Sequence, residues 1–461
     1  MRYRIEKDAL GNVKVPENAY YGSDTARTIE NFQISGIRVP AELIDAYLML
    51  KEAAALANMK AGKLDRKRGT AIARACKSLL KKRDDDQFPI DIFQAGAGTS
   101  TNMNVNEVIA NVAIGILGGK KGDYSIVHPN DHVNMSQSTN DTYPSALNIA
   151  ARLSVEKRLI PQLRHLQILM YAKSREFADI VKIGRTHLQD AVPMTLGEEF
   201  SGYAGEVERV TRMLERAADE LLELPLGGTA VGTGLNAGRE YSKYAIIELN
   251  RITGERFMAS ANRFATTQNR VEILALNDAI KEVAVVLMKI SSDFRLLASG
   301  PRAGMHELIL PSIMPGSSIM PGKVNPSIPE MLGMVCLQVM GIDRTVTNAA
   351  EDAQLELNVF TPIIAYDTIF GINILSNAIN AFSERCVRGV AASRKEMSRQ
   401  VNEDLSIATA LNPYIGYSKA AEIAKKAYKE GKTVMQVCLE MKVLGKEQLR
   451  KILDPRRMAG K

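Results

Sequence analysis

The stretch Gly316-Ser317-Ser318-Ile319-Met320-Pro321-Gly322-Lys323-Val324-Asn325-Pro326 gathers two hydroxyls, one ammonium, one carboxamide and two flexible glycines. Glycine lets the backbone approach a ligand closely, and consecutive N–H groups, serine hydroxyls and a lysine can converge on a carboxylate or phosphate. Lys323 supplies a point charge and Asn325 a directional donor. Gly, Ser, Pro and Asn also build ordinary surface turns. Ile319, Met320 and Val324, interleaved with the polar set, argue instead for a loop lying against a packed surface.

Three more polar islands interrupt otherwise helical text. They are Gly96-Ala97-Gly98-Thr99-Ser100-Thr101-Asn102-Met103-Asn104-Val105-Asn106-Glu107, the run from His128-Pro129-Asn130-Asp131 through Ser138-Thr139-Asn140-Asp141, and Gly184-Arg185-Thr186-His187-Leu188-Gln189-Asp190-Ala191. Each offers hydroxyls and amides to a small oxyanion and adjoins a helix start, where N–H groups point outward. Singly each reads as helix capping. Their combination makes the case for chemistry. His165 and His306 read as structural or surface groups, whereas His187 follows Arg185-Thr186 inside an island.

Such islands need rigid elements behind them, and two segments carry a clean helical period. Phe200, Tyr203, Val207, Val210, Leu214, Ala217, Leu221 and Leu224 step by threes and fours, as do Ile273, Leu276, Ile280, Val283, Leu287, Ile290, Phe294 and Leu297. This is the seam of helices packed at the shallow crossing angle of bundles. Such helices exceed roughly 35 Å, too long for one small globule to cover, so neighbours from other subunits are expected. Stretches from Ser145 to Ala172, with a kink at Pro161, and from Ile363 to Phe382 add further helices. Irregular sequence runs to about Pro40, ahead of a helical stretch that contains Lys51-Glu52-Ala53-Ala54-Ala55-Leu56-Ala57. Ser418 reads as the cap of a helix that stops at Gly431, and Thr433 as the opening of another. The resulting division is a mostly helical N-terminal domain over 1–138, a central long-helix domain over 139–392 and a small helical domain over 393–461.

With 461 residues, 46% hydrophobic and 24% charged, the chain has ample apolar material for a folded core. The N-terminus lacks the apolar centre of a signal peptide and no apolar run reads as a bilayer span, so a cytoplasmic protein without membrane contact is expected. The formal charge of +7 suits the steering of small anions rather than nucleic acid, because basic clusters adjoin acidic ones and there is no Trp. Cys76, Cys336, Cys386 and Cys438 are far apart and read as buried small hydrophobes, with neither a metal site nor a disulfide framework.

Taken together, the loop and islands closely resemble the aspartase/fumarase superfamily, whose loop has the form G-S-S-x-M-P-x-K-x-N-P, and the resemblance spans nearly the whole chain. It implies a mainly α fold in which long central helices form a twenty-helix bundle in a homotetramer, with smaller N- and C-terminal domains and active sites shared between subunits. The substrate it implies is a small dicarboxylate, with no cofactor or metal. It also implies Ser317 as the base, on a mobile loop, and Ser138, Thr139, Thr186 and Ser318 as donors to the carboxylate that becomes an aci form. Lys323 and Asn325 would hold the other carboxylate, Thr99, Asn140 and His187 would surround the leaving group, and Glu330 would support His187. His128, Asn130 and Asp131 match a stretch that forms a second anion site in some members.

The leaving group is the open choice. Loss of ammonia from a protonated amine needs no added proton, whereas loss of hydroxide needs a general acid, a role His187 can fill. Gly96-Ala97-Gly98-Thr99-Ser100, Ser136-Gln137-Ser138-Thr139-Asn140-Asp141 and Ser299-Gly300-Pro301-Arg302-Ala303-Gly304 resemble the aspartase branch. Leu226-Gly227-Gly228-Thr229-Ala230, Asn358-Val359-Phe360-Thr361-Pro362 and His128-Pro129-Asn130-Asp131 resemble fumarases. Weighting the differences nearest the substrate gives deamination of L-aspartate to fumarate and ammonia as the expected reaction, with hydration of fumarate to L-malate as the alternative. A catalytically inactive structural homologue is a third reading, opposed by the presence of Ser317, Lys323, Asn325, Thr186 and His187.

Overall fold

The computed structural model describes residues 2–316 and 318–460. Helices dominate. In chain order the elements are β1 (Tyr3–Asp8), β2 (Gly11–Pro16), α1 (Ser23–Asn31), α2 (Ala41–Lys60), α3 (Arg66–Lys81), α4 (Thr99–Ile116), α5 (Thr139–Ser154) and α6 (Ile160–Glu176). The hairpin β3 (Val181–Thr186) and β4 (Gln189–Thr195) follows, then α7 (Leu196–Asp219), α8 (Arg239–Thr253), α9 (Arg263–Gln268), α10 (Val271–Leu297), α11 (Ser327–Glu351) and α12 (Thr361–Phe382). Short helices complete the chain. It divides into two compact units, Met1–Pro161 with Arg212–Glu282 and Leu337–Leu375, and Gln162–Thr211 with Val283–Cys336 and Ser376–Lys461.

In the first unit α2 is the central rod. It buries residues on nearly every side, from Leu43 to Asn58, and so packs against α3, α5 and α8 at once. Asp65 caps α3 by accepting from the Arg68 N–H. Ser138 and Asp141 form a reciprocal capping box at the start of α5. A wide π-turn over Val155–Leu159 separates α5 from α6 where the sequence predicts a kink, because Pro161 brings no N–H to continue the ladder. The N-terminal region is not irregular, as the sequence suggests: β1 and β2 pair as an antiparallel hairpin and α1 follows.

In the second unit the core is aromatic. Phe200 on α7 meets Phe177 edge-on at 5.2 Å between centroids and lies 5.6 Å from Phe294 on α10, which meets Phe382 at 5.2 Å. Tyr203 joins the cluster and donates from its hydroxyl to the Asp293 carboxylate at 2.9 Å. A separate apolar cluster runs from Ile407 to Leu453. There the helix Tyr417–Glu430 is preceded by Gly416 as its cap residue, so Ser418 lies inside the first turn rather than capping it, while Thr433 caps Val434–Glu440 through a capping box with Gln436.

The two seams form as the spacing predicts, with one adjustment. Every seam residue of α10 is buried, and on α7 the stripe passes through Ala218 rather than Ala217 before the helix gives way to a 3-10 turn. At the α-helical rise, α7 and α10 are about 36 and 40 Å long. The stretch Thr361–Val387 is long and apolar enough to cross a bilayer, contrary to the sequence reading, but 61% of its apolar window is buried inside the protein as core. All four cysteines are free and buried. Burial pushes the Cys336 and Cys386 thiols up to about 12 and raises Cys76 further.

Phe294→Ala would remove the shared partner of Phe200, Tyr203 and Phe382. A loss of about 3–5 kcal/mol is expected, read as a lower denaturant midpoint with secondary structure retained before the transition.

Candidate active site

The first unit brings two of the islands together at the N-termini of α4 and α5. Gly98 takes a left-handed conformation just before α4, and a Cβ there would fall 1.9 Å from the Tyr143 ring of α5, so only glycine permits this approach. Thr99 is exposed at the first position of α4. One turn on, buried Asn102 donates from Nδ2 to the Thr139 hydroxyl at 3.0 Å. Ser138 Oγ accepts from the Asn140 N–H at 3.2 Å, and Asn140 Nδ2 donates to the Ala230 carbonyl at 2.8 Å. Thr99, Ser138, Thr139 and Asn140 thus share one polar face of the unit.

Beneath that face lies Asp141, fully buried. Its carboxylate accepts from the N–H groups of Ser138 at 2.9 Å, Gly227 at 2.8 Å and Thr229 at 3.1 Å. Burial raises its pKa to about 6, against the pull of those three donors and of the Lys51 charge. Lys51, buried on α2, is drawn down to about 7 by desolvation, with Asp141 opposing. The loop 226–230 is therefore tied to the island by both Asp141 and Asn140. Val359 does the same on another side, its carbonyl accepting from the Ala97 N–H at 2.8 Å.

His128, Asn130 and Asp131 form a tight turn elsewhere in this unit. His128 Nδ1 accepts from the Asn130 and Asp131 N–H groups, both at 3.2 Å, and lies 3.6 Å from the Asp131 carboxylate. That nitrogen is occupied as a cap, and an acidic group stands beside it.

In the second unit Thr186 and His187 sit at the exposed tip of the β3–β4 hairpin. Thr186 pairs with Gln189, so His187 and Leu188 are a two-residue loop, and both have positive φ, 56° and 59°. Hairpins of this length prefer Asn-Gly there, so His-Leu is strained. Strand β3 is clamped electrostatically. Glu307, fully buried, binds Lys182 at 3.0 Å and Arg185 at 2.5 Å, and Arg185 also donates to Gln400 at 3.2 Å.

Lys323, Asn325 and Glu330 line a cavity of about 860 Å³ with Arg295, Ser299 and His306. Its lining includes neither Thr186 nor His187. The polar loop closes on itself at Gly316, where a Cβ would fall 1.8 Å from the Lys323 carbonyl, and Asn325 Nδ2 donates to the Gly316 carbonyl. Ser318 and Lys323 are exposed. Ser317 lies outside the described residues. The sequence reads His306 as a structural or surface group and does not single out Arg295; His306 follows the glycine-bearing stretch 299–304 and holds a φ of 47°. Among the described residues no group of three or more His, Cys, Asp or Glu side chains is placed to hold a metal ion.

Residues 11–341 match the family described as Lyase, and residues 407–460 the family described as Fumarase C C-terminus. The chain belongs to the aspartase/fumarase superfamily. A fumarate hydratase class II from Thermosynechococcus vestitus is 48% identical over 96% of this chain and 95% of its own length. An aspartate ammonia-lyase from a Bacillus species is 44% identical, over 99% and 97%. The crystal structure of a class II fumarase from Schistosoma mansoni covers 99% of each chain at TM-score 0.97 and 37% identity.

These relatives overturn the expected deamination of L-aspartate. The description fumarate hydratase class II recurs among relatives 44–45% identical, from Bacillus subtilis, Helicobacter pylori and Campylobacter jejuni. The physical reason lies in the residues at the polar face. Thr139 offers the same hydroxyl that a serine would, so it says little about the leaving group, whereas the fumarase-like segments 226–230 and 358–362 hydrogen-bond directly to the islands.

Leu188→Asn should relieve strain, since Asn tolerates positive φ better than Leu. A gain of about 1 kcal/mol, seen as a raised thermal midpoint, is expected at this exposed position.

Proposed function

We propose that the chain interconverts fumarate and L-malate, as a class II fumarate hydratase does. The observation that carries this reading is full-length similarity to relatives of that description, 48% identity over 96% of the chain. Support comes from the fumarase-like segments that buttress the polar islands.

Taking a proton from the carbon beside a carboxylate builds a doubly charged aci-carboxylate, so several donors must already hold that carboxylate. In this reading Ser317 takes the proton, activated by loop N–H groups and nearby positive charge. Ser138, Thr139, Thr186 and Ser318 hold the carboxylate that becomes the aci form, and Lys323 and Asn325 hold the other. Thr99, Asn140 and His187 surround the departing hydroxyl, which must leave with a proton, and His187 supplies it. Glu330 orients His187 across a shared site, and His128, Asn130 and Asp131 offer a second anion position. None of these roles calls for a metal or cofactor.

A homotetramer with sites built by several chains belongs to the same reading. Exposed Val285, Leu296 and Met334 on α10 and α11 support it, because long helices with apolar outer faces need neighbours. A cytoplasmic location fits four free, buried cysteines.

Purified protein should form fumarate from L-malate much faster than from L-aspartate, followed by ultraviolet absorbance. Equal or faster release of ammonia from L-aspartate would sink the reading. Ser317→Ala should lower kcat by roughly 10²–10⁴-fold while the oligomer, measured by light scattering, stays intact. Retained kcat would remove Ser317 as base.

A further inference from the structure

Lys51 has no part in the reaction described above, yet it is fully buried in the middle of α2. A buried amine is costly unless every donor finds a partner. Its Nζ donates to Asn102 Oδ1 at 2.8 Å and to Asn134 Oδ1 at 2.9 Å. Charged or neutral, the amine offers N–H groups to both oxygens. Because Asn102 turns its oxygen toward Lys51, its Nδ2 is presented to Thr139 Oγ1 at 3.0 Å and, on the flank, to the same Asn134 Oδ1 at 3.3 Å. Thr139 Oγ1 therefore accepts from inside the protein. Its own O–H is left to donate outward, at the polar face shared with Ser138 and Thr99.

We propose that Lys51 is a positioning residue that, through Asn102, holds the Thr139 hydroxyl as a donor toward the substrate carboxylate. The opposite orientation of the Asn102 amide would take the Thr139 proton inward and leave an oxygen lone pair facing a carboxylate, which repels it. An anion that gains charge during reaction makes this choice matter most in the transition state. The competing role for Lys51 is purely structural, as a counter-charge for Asp141.

The inference rests on Thr139 touching substrate, and so on the function proposed above. Wild-type turnover of L-malate against L-aspartate tests that function. The inference itself is tested by a cycle of Lys51→Met, Thr139→Val and the double variant, run on whichever of the two the wild type turns over. Lys51→Met should lower kcat/KM by up to about 10²-fold, chiefly through kcat, and add little once Thr139→Val is present. Effects that multiply, or full activity in Lys51→Met, would overturn it. Should Lys51→Met fail to fold, Asn102→Asp decides, since the new carboxylate pairs with Lys51 but draws the Thr139 proton inward. A loss of kcat in a folded Asn102→Asp oligomer is expected, and wild-type kcat there would overturn the inference.

Discussion

A buried carboxylate must be met by hydrogen bonds even where a cation stands near, and the first unit is organised around one such group, Asp141. Three backbone N–H donors converge on it, from Ser138, Gly227 and Thr229. Those three residues lie in two stretches separated by more than eighty positions, so satisfying this single acid fixes the start of α5 against the loop 226–230. Removing the acid would leave three buried donors without acceptors, each with a desolvation cost of about 1–3 kcal/mol. The polar face that displays Ser138, Thr139 and Asn140 is in this sense the outer surface of a satisfied buried acid.

The second unit solves the same problem with charge. Lys182 and Arg185 share the buried Glu307, which anchors β3 along its length up to the tip that carries His187 and Leu188 at positive φ. A strained tip persists only where its surroundings over-determine it. Rigidity below and strain above belong together: the clamp supplies the constraint that a His-Leu turn does not supply for itself.

Much of this architecture was legible in the residues. The α7 and α10 seams could be read because the three-four step survives over many turns, and the polar islands because their composition suits neither core nor linker. What escaped did so for physical reasons. In β1 the apolar residues Tyr3 and Ile5 face solvent, at 53% and 60% exposure, so no inside-outside alternation marks a strand. Ser418 is a good cap by type, but Gly416, with φ of 78°, turns the chain two residues earlier. Lys51 was hidden in an alanine-rich helical run, and nothing local says that a lysine there points inward to two asparagines. The leaving group escapes the sequence because a hydroxyl such as that of Thr139 is the same whether Thr or Ser supplies it, while the loops hydrogen-bonded behind the face lie far off in the chain.

The four cysteines, set in the cores of both units, bear on how the protein would meet oxidants and alkylating reagents. A thiol reacts as its thiolate, and burial holds Cys336 and Cys386 at about 12 and Cys76 higher still, while denying reagents access. Reaction therefore has to wait for the surrounding core to open. Cys76 keeps that record for the first unit and Cys336, Cys386 and Cys438 for the second, so the order in which the thiols are modified is the order in which the two cores come apart.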